Sequence, residues 1–233
     1  MVKGDKRKAQ ILEKARDLYM QKGISDLSLK EVLDALDISK GCFYHYFVSK
    51  TDVFAQAMAQ MAEGYAVNGR DEAEKCPTAI EKLNTVFDKS GVFSSCAPFV
   101  QLLTRSIRCD DMWLKAYMED AMLRAFSDDI SRILALGVQD QEFYTAYPLE
   151  LADMIVRLLF DMLETLSRYL LSCDMEPNLG FIMSKIVFVR SIVEKQLEAP
   201  FGSITLISAA ELCRACQKVW NDEIIKIVDS EEA

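Results

Sequence analysis

The chain has 233 residues, of which 51% are hydrophobic, and its formal net charge is −9. Only five prolines and nine glycines occur, which argues against a loop-rich all-β fold and favours long helices. No apolar run reaches the ~18 residues of a membrane span, and seven cysteines at irregular spacing indicate reduced thiols in a cytoplasmic protein rather than a disulfide framework.

Charge is distributed unevenly along the chain. Residues 1–50 contain ten Lys or Arg and seven Asp or Glu, whereas the remaining residues contain 17 and 29. A basic N-terminal part on an acidic body indicates that this part faces an anionic partner. Chance variation in surface charge is the alternative, and charge alone does not decide between the two.

Two helices are predicted first. Residues 6–21 have one apolar helix face, made of Ile11, Leu12, Ala15, Leu18 and Tyr19. Gly23 then supplies a stop. Ser28 is expected to cap a second helix, with Glu31 closing a capping box. The buried side of that helix would consist of Leu29, Val32, Leu33 and Leu36.

The next stretch, ISKGCFYHYFVSKTDVF (residues 38–54), is dense in aromatic rings and holds the only histidine. Ser39 can cap a short third helix that ends near Tyr46. Ser49 can cap a fourth helix, with Asp52 closing another box. Two helices of about two turns joined by a turn of about three residues have helix-turn-helix spacing, and the second helix of such a pair enters the major groove of DNA.

The residues of the third helix suit this role. Lys40 lies in the first turn, where side chains reach base edges, and the small Gly41 and Cys42 allow close approach. Phe43 and Phe47 share one face and are expected to anchor the helix.

The remaining rings carry polar groups. Tyr44, His45 and Tyr46 offer a hydroxyl or N–H that suits phosphate contacts. Lys50 adds a charge beside the backbone N–H groups that begin the fourth helix. In the alternative interpretation all rings are core, but these three cannot all point inward from one short helix.

Residues 6–60 resemble the DNA-binding domain of TetR-family transcriptional regulators. The resemblance is carried by ILEKARDLYMQKGISDLSLKEV and by a match to the family pattern S-K-G-x-x-Y-x-x-F-x-x-K, at Ser39, Lys40, Gly41, Tyr44, Phe47 and Lys50. There are departures. Asp37 stands where the family usually has Gly, Leu33 and Leu36 where small Ala residues are common, and Tyr46 where His is common. Asp tolerates the left-handed conformation that a turn glycine adopts.

The resemblance implies roles for these residues. Base-proximal positions would be Lys30, Lys40, Gly41 and Cys42. Phosphate contacts would be Ser28, Tyr44, His45, Tyr46 and Lys50. Ser39 completes the predicted DNA-binding set. The N-terminal basic residues either lie along the DNA backbone or minor groove, or form a solvated tail; they are Lys3, Lys6, Arg7 and Lys8.

The stretch NGRDEAEKCPT (residues 68–78) breaks the helical pattern and predicts a domain boundary. We expect an N-terminal helix-turn-helix DNA-binding domain at 1–68 and a larger helical ligand-binding and dimerisation domain at 69–233, in an all-α fold. Periodicity predicts helices at about 78–89, 97–108, 110–136, 148–173, 178–198 and 203–229.

The helix at 148–173 has one narrow polar stripe and is otherwise apolar, so it must be covered on most sides. One chain of this size could cover it, although a dimer does so more easily. The resemblance adds that two C-terminal helices commonly build a dimer interface. We therefore predict a homodimer through helices 148–173 and 203–229 that binds a palindromic operator with half-sites ~34–36 Å apart.

The middle helices are rich in methionine and aromatic residues, which can line an adaptable ligand pocket or fill an ordinary core. The predicted pocket residues are Phe87, Phe99, Trp113, Tyr117, Met118, Met122 and Met154. The resemblance implies an effector, which we expect to be small and apolar or amphipathic.

The leading hypothesis is a ligand-responsive DNA-binding repressor with no cofactor, no metal and no catalytic residue. A helical enzyme lacks support, because the single histidine lies in the basic N-terminal part and no Gly-rich phosphate loop or metal-ligand cluster occurs. A helical interaction protein that has lost DNA binding is the other alternative. Cys213 and Cys216 form an isolated C-x-x-C, a weak signal for metal or redox function. Oxidation of Cys42 coupled to DNA release stays an open hypothesis.

Overall fold

The computed structural model describes residues 3–22, 28–92, 98–173 and 175–231, which form ten α-helices and no strand. The predicted all-α fold is confirmed. The helices are α1 (Lys3–Lys22), α2 (Leu29–Leu36), α3 (Lys40–Tyr46), α4 (Lys50–Ala73), α5 (Ala79–Asp88), α6 (Pro98–Arg108), α7 (Met112–Gln139), α8 (Pro148–Leu171), α9 (Leu179–Leu197) and α10 (Ala209–Glu231).

The N-terminal helices bury the predicted faces. All five residues of the predicted α1 face are buried, and Val32 and Leu36 of α2 join them, whereas Leu29 and Leu33 are only half-buried. The Tyr19 ring packs edge-on against Phe54 of α4, with centroids 5.6 Å apart. Helix α1 therefore lies against both α2 and α4.

The predicted helix caps are present as hydrogen bonds. Ser28 Oγ accepts from the Glu31 backbone N (3.2 Å), while the Ser28 backbone N donates to Glu31 Oε2 (2.8 Å), which is a capping box. Ser49 Oγ accepts from Asp52 N at 3.1 Å, but the Asp52 carboxylate accepts from Val48 N at 2.8 Å. The second predicted box therefore closes one residue before the cap. Gly23, the predicted stop of α1, lies outside the described residues.

Asp37 ends α2 in the left-handed conformation, with φ 53° and ψ 53°. Its backbone N–H donates to the Asp34 carbonyl (3.2 Å), and the next N–H, of Ile38, donates to the Leu33 carbonyl (3.2 Å). The expectation that Asp replaces a turn glycine is confirmed. The short side chain of Asp makes this conformation less costly than it is for most residues.

Helix α4 joins the head, made of α1 to α3, to the body, made of α5 to α10. It packs against α1 on one side and against α5 and α7 further along. The predicted break at 68–78 was wrong in its first half, because α4 continues to Ala73. Gly69 allows α4 to approach α5 closely, since an added Cβ would collide with the Val86 carbonyl oxygen. The predicted boundary at 68/69 lies inside α4, and the division into two domains stays a prediction.

Helix α8 lies at the centre of the body, against α6, α7, α9 and α10. Its buried residues are Leu151, Ala152, Ile155, Val156, Leu159, Phe160, Met162, Leu163, Leu166, Ser167 and Leu170. Its charged stripe meets α7, where Lys115 Nζ donates to Glu164 Oε1 at 3.0 Å and Arg157 pairs with Glu119. One chain therefore covers α8, and the apolar character of this helix does not require a dimer.

The body helices were predicted to within three residues at both ends, except the last. The predicted start at 203 was wrong, because residues 203–208 are held in a non-helical segment by distant side chains. Glu194 Oε1 accepts from Ile204 N (3.2 Å), and Asn84 Oδ1 accepts from Thr205 N (2.7 Å). Ser208 Oγ then accepts from Glu211 N (3.3 Å) at the true helix start.

Among the described helices, none combines the length and the apolar character that crossing a membrane requires.

Candidate nucleic-acid interface

Two buried rings fix helix α3. Phe43 and Phe47 are buried, and their ring centroids lie 5.4 Å apart. The Ser39 side chain caps the helix by accepting from Cys42 N at 3.1 Å. The predicted anchoring role of the two phenylalanines is confirmed. This seven-residue helix is too short to be stable alone, so its position depends on these contacts.

The opposite face of α3 is open to solvent. Lys40, Gly41, Tyr44 and His45 are exposed, and Cys42 is half-buried. Lys40 Nζ lies 6.0 Å from the centroid of the Tyr44 ring, which places a cation above an aromatic face. The structure thus gathers the predicted base-proximal residues of α3 on one accessible surface.

Tyr46 departs from the prediction that three rings point outward. It is half-buried and packs against the core, with its ring 4.8 Å from the His45 ring. The three rings follow one another along a single helical turn, so they cannot all share one face. Tyr44 and His45 are exposed, and Tyr46 lies at the margin.

The two serines predicted to contact DNA differ in the hydrogen bonds that their hydroxyl groups make. Ser39 Oγ is used as an acceptor, which leaves its proton available for a phosphate oxygen. Ser28 Oγ instead donates to Glu31 Oε2 at 2.7 Å while accepting from Glu31 N. Ser39 is therefore the better prepared phosphate donor.

Gly41 has no packing role within the chain. A Cβ added there would meet only Ser39 Oγ, at 4.0 Å, which is ordinary contact. Glycine within a helix costs up to ~1 kcal/mol relative to alanine. Nothing in the described structure accounts for that cost, so close approach of an external surface is the favoured explanation.

Basic residues flank this surface. Lys30 is exposed on α2, and Lys50 lies half-buried at the start of α4. Arg7 Nη2 donates to the Asp37 carbonyl at 3.4 Å, which brings a cation of α1 to the turn before α3. The N-terminal basic stretch is helical from Lys3, as part of α1, rather than a tail.

A buried hydrogen bond joins the head to the body. Tyr19 Oη donates to Asp111 Oδ2 at 3.2 Å, and Asp111 Oδ1 accepts from Leu114 N at the start of α7. Burial, together with the Asp111 carboxylate, raises the pKa of Tyr19 far above its ordinary value. The two partners lie 92 positions apart along the chain, which explains why periodicity could not predict this contact.

The predicted pocket residues differ widely in burial. Phe87, Phe99, Met118 and Met122 are buried in the core, Tyr117 and Met154 are half-buried, and Trp113 is 71% exposed. Trp113 was therefore wrongly assigned to an internal pocket, because it lies in the first turn of α7 on its outer side.

Described residues of the body line three cavities that bear on this prediction. One of about 160 Å³ separates α4, α5 and α7, and one of about 330 Å³ lies between α5 and α10, with Phe87 in its wall. The third, of about 210 Å³, lies between α8, α9 and residues 205–209. Of the predicted pocket residues, only Phe87 lines any of these three.

The C-x-x-C pair is not prepared for thiolate chemistry. Burial raises the pKa of both the Cys213 and Cys216 thiols, that of Cys216 to about 12. Thiolates are the reactive and metal-binding form. Within the described ranges no group of three His, Cys, Asp or Glu side chains is placed to hold a metal ion.

Comparisons with known proteins point to one family. Residues 11–57 match the family model described as bacterial regulatory proteins of the tetR family. The helix-turn-helix transcriptional regulator YfiR of Bacillus subtilis (strain 168) is 25% identical over 161 residues, which cover 62% of this chain and 72% of YfiR.

Solved structures of similar fold include FadR from Bacillus subtilis in complex with stearoyl-CoA. It has 16% identity and a TM-score of 0.57, over 82% of this chain and 98% of FadR. RolR in complex with resorcinol has 16% identity and a TM-score of 0.55, over 92% and 94% of the two chains. At these identities the likeness concerns the fold.

Proposed function

We propose that this chain, which belongs to the TetR family of bacterial regulatory proteins, is a repressor that binds a palindromic operator as a homodimer and is released by a small apolar or amphipathic effector. The observation that carries the proposal is the outer face of α3. Exposed Lys40, Gly41 and Tyr44 sit on a helix that buried Phe43 and Phe47 hold in place. The proposed place of action is the cytoplasm, with the DNA.

Roles within this surface follow from position. Lys40 in the first turn of α3, beside Gly41 and Cys42, would meet base edges in the major groove. Ser39, Tyr44, His45 and Lys50, with Lys30 on α2, would contact phosphates and set the register. Ser28 and Tyr46 contribute less, because one hydroxyl is used internally and the other ring is half-buried.

Fluorescence anisotropy with duplexes from the region flanking its own gene tests DNA binding. We expect saturable binding that weakens steeply with salt, and tighter binding to a palindromic segment than to a shuffled duplex of the same composition. Absence of any duplex binding at low salt would overturn the proposal and favour a helical interaction protein.

An exposed apolar line on α9 supports a different proposal for the dimer interface from the predicted pair of α8 and α10. Leu179, Met183 and Val187 follow one line at four-residue spacing, Phe188 lies beside them, and all four are exposed. The α8 helix is covered within one chain, and the exposed described positions of α10 from residue 214 on are polar. We therefore propose that the α9 stripe, defined by these four residues, meets its copy across a two-fold axis.

Sedimentation velocity of Phe188→Asp tests this interface. Phe188 is 59% exposed, so the change should leave one chain folded while a charge in the interface weakens the dimer. Tyr144→Asp is the matched control, because Tyr144 is 70% exposed in the connection between α7 and α8 and does not belong to the α9 stripe. Equal dimer stability in both variants would contradict the α9 interface.

Two contacts can carry an effector signal from body to head. The Tyr19–Asp111 hydrogen bond ties α1 to the start of α7, and Arg70 Nε donates to the buried Asp129 carboxylate at 2.6 Å, tying α4 to α7. An effector that favours a shifted α7 would change the spacing of the two α3 helices. Such coupling between sites is typically worth ~1–3 kcal/mol.

A further inference from the structure

The cavity between α8, α9 and residues 205–209 has an apolar wall. Its apolar lining is formed by Leu159, Met162, Met183, Ile186, Val187, Val189, Leu206, Ile207 and Ala209. Its volume is about 210 Å³, which corresponds to roughly seven water-sized groups of ~30 Å³ each. That space suits an unbranched aliphatic chain of about six to eight carbons.

One charged side chain, Arg190, stands among the described residues that line this cavity. Its Nε is shielded from solvent and has no hydrogen-bond partner within the described ranges. Glu194 Oε1 lies 3.8 Å from Nε, too far for a hydrogen bond. The same oxygen already accepts from Gly202 N (2.8 Å) and Ile204 N (3.2 Å). The Nε donor of Arg190 is therefore unused, and the guanidinium lies at ion-pair distance from Glu194 on the wall of an apolar space.

An unpaired buried donor needs an acceptor, because burial has removed its water. The orientation of the guanidinium is already restricted: Arg190 Cζ lies 5.6 Å from the centroid of the Phe201 ring. A planar guanidinium held in this way matches the two oxygens of a carboxylate.

We propose that this cavity binds a medium-chain aliphatic carboxylate, with its carboxylate on Arg190 and its chain between α8 and α9. The site names the effector class and in that respect rests on the proposed function, although binding itself does not require DNA. Met183 and Val187 belong to both the cavity wall and the α9 stripe. The bound chain therefore lies where a small shift of α9 reaches the proposed dimer interface.

Isothermal titration of the full chain with octanoate tests the site directly. We expect one octanoate per chain and at least ~10-fold weaker binding of 1-octanol, which lacks the charge. Arg190→Gln should weaken octanoate binding at least ~10-fold. Arg157→Gln is the matched control and should bind as the parent does, because Arg157 is exposed on α8 and pairs with Glu119.

A second variant keeps the test independent of Arg190. Ala209→Phe places a ring in the cavity from the start of α10 and should abolish octanoate binding while thermal unfolding and helicity stay those of the parent. Absence of octanoate binding, equal binding of octanol, or unchanged binding by Arg190→Gln would each overturn the site.

A DNA arm separates this inference from the proposed function. Octanoate should release the parent from its operator duplex and leave Arg190→Gln bound. Octanoate binding without release would overturn the effector role. Octanoate binding by a protein that binds no duplex would support the cavity and refute the repressor. Operator binding without any octanoate binding would support the repressor and refute the carboxylate site.

Discussion

Gly41→Ala separates a glycine kept for stability from one kept for an external surface. Gly41 is the second residue of α3 and is exposed. An added methyl meets only Ser39 Oγ, at 4.0 Å, so the folded chain has room for it. Alanine loses less backbone freedom on folding, which should stabilise the protein by ~0.5–1 kcal/mol.

The same methyl should harm DNA binding. In the proposed complex it would press against the groove, and overpacking a close contact costs ~1–3 kcal/mol. That cost corresponds to a roughly 5- to 150-fold rise in Kd. Urea unfolding measures the first effect, and fluorescence anisotropy with the operator duplex at fixed salt measures the second.

Gly64→Ala is the matched control. Gly64 is also helical and exposed, in α4, and a Cβ there meets nothing within 4 Å. Both variants should gain stability, whereas only Gly41→Ala should lose affinity. If Gly41→Ala binds the operator as tightly as Gly64→Ala does, the close approach of α3 to DNA is refuted.

Three further predictions address contacts of the head and body. Lys50→Ala should weaken binding to all duplexes and lower the salt slope by about 1, whereas Lys40→Ala should mainly reduce discrimination between operator and shuffled duplex. Tyr19→Phe should lower the free energy of unfolding by ~1–3 kcal/mol, because the buried Asp111 carboxylate loses a donor. Burial alone would raise the pKa of Glu164, but hydrogen bonds from its basic neighbours outweigh it and hold the pKa below the ordinary value. Glu164→Gln should therefore cost stability at pH 7, and the difference should shrink as the pH falls below about 4.3 and through the lower folded value.

Each of these has a contrary outcome. Equal loss of discrimination in the two lysine variants would contradict their separate roles. Tyr44→Phe changes a half-exposed ring and should leave the free energy of unfolding unchanged. A decrease as large as that of Tyr19→Phe would contradict a stabilising role of the buried Tyr19–Asp111 hydrogen bond. A Glu164→Gln difference that persists at pH 2 would show packing rather than charge.

The local features of this protein could be predicted from its sequence. The caps at Ser28, Ser39 and Ser49 depend on partners three residues away, and the pairing of Phe43 with Phe47 depends on one helical turn. The body helices could be predicted for the same reason, because apolar residues recur every three to four positions on the buried face of a helix.

Contacts between segments that are distant along the chain could not be predicted from such short-range patterns. The start of α10 is set by Glu194 and Asn84, and the charged residue on the wall of the proposed carboxylate site is Arg190 of α9. The one sequence signal for that site was an arginine in the mostly apolar stretch IMSKIVFVRSIV, which also contains Lys185. Periodicity shows only that such a side chain departs from the apolar pattern.

The sequence by itself therefore determined most helix boundaries, the caps and the short α3 helix with its buried phenylalanines. The tertiary structure alone decided that one chain covers α8, that the exposed apolar stripe lies on α9, and that Tyr19 bonds to Asp111. The physical reason is range: hydrogen bonds and apolar faces within a helix repeat at fixed short spacing, whereas packing joins residues whose separation along the chain has no rule.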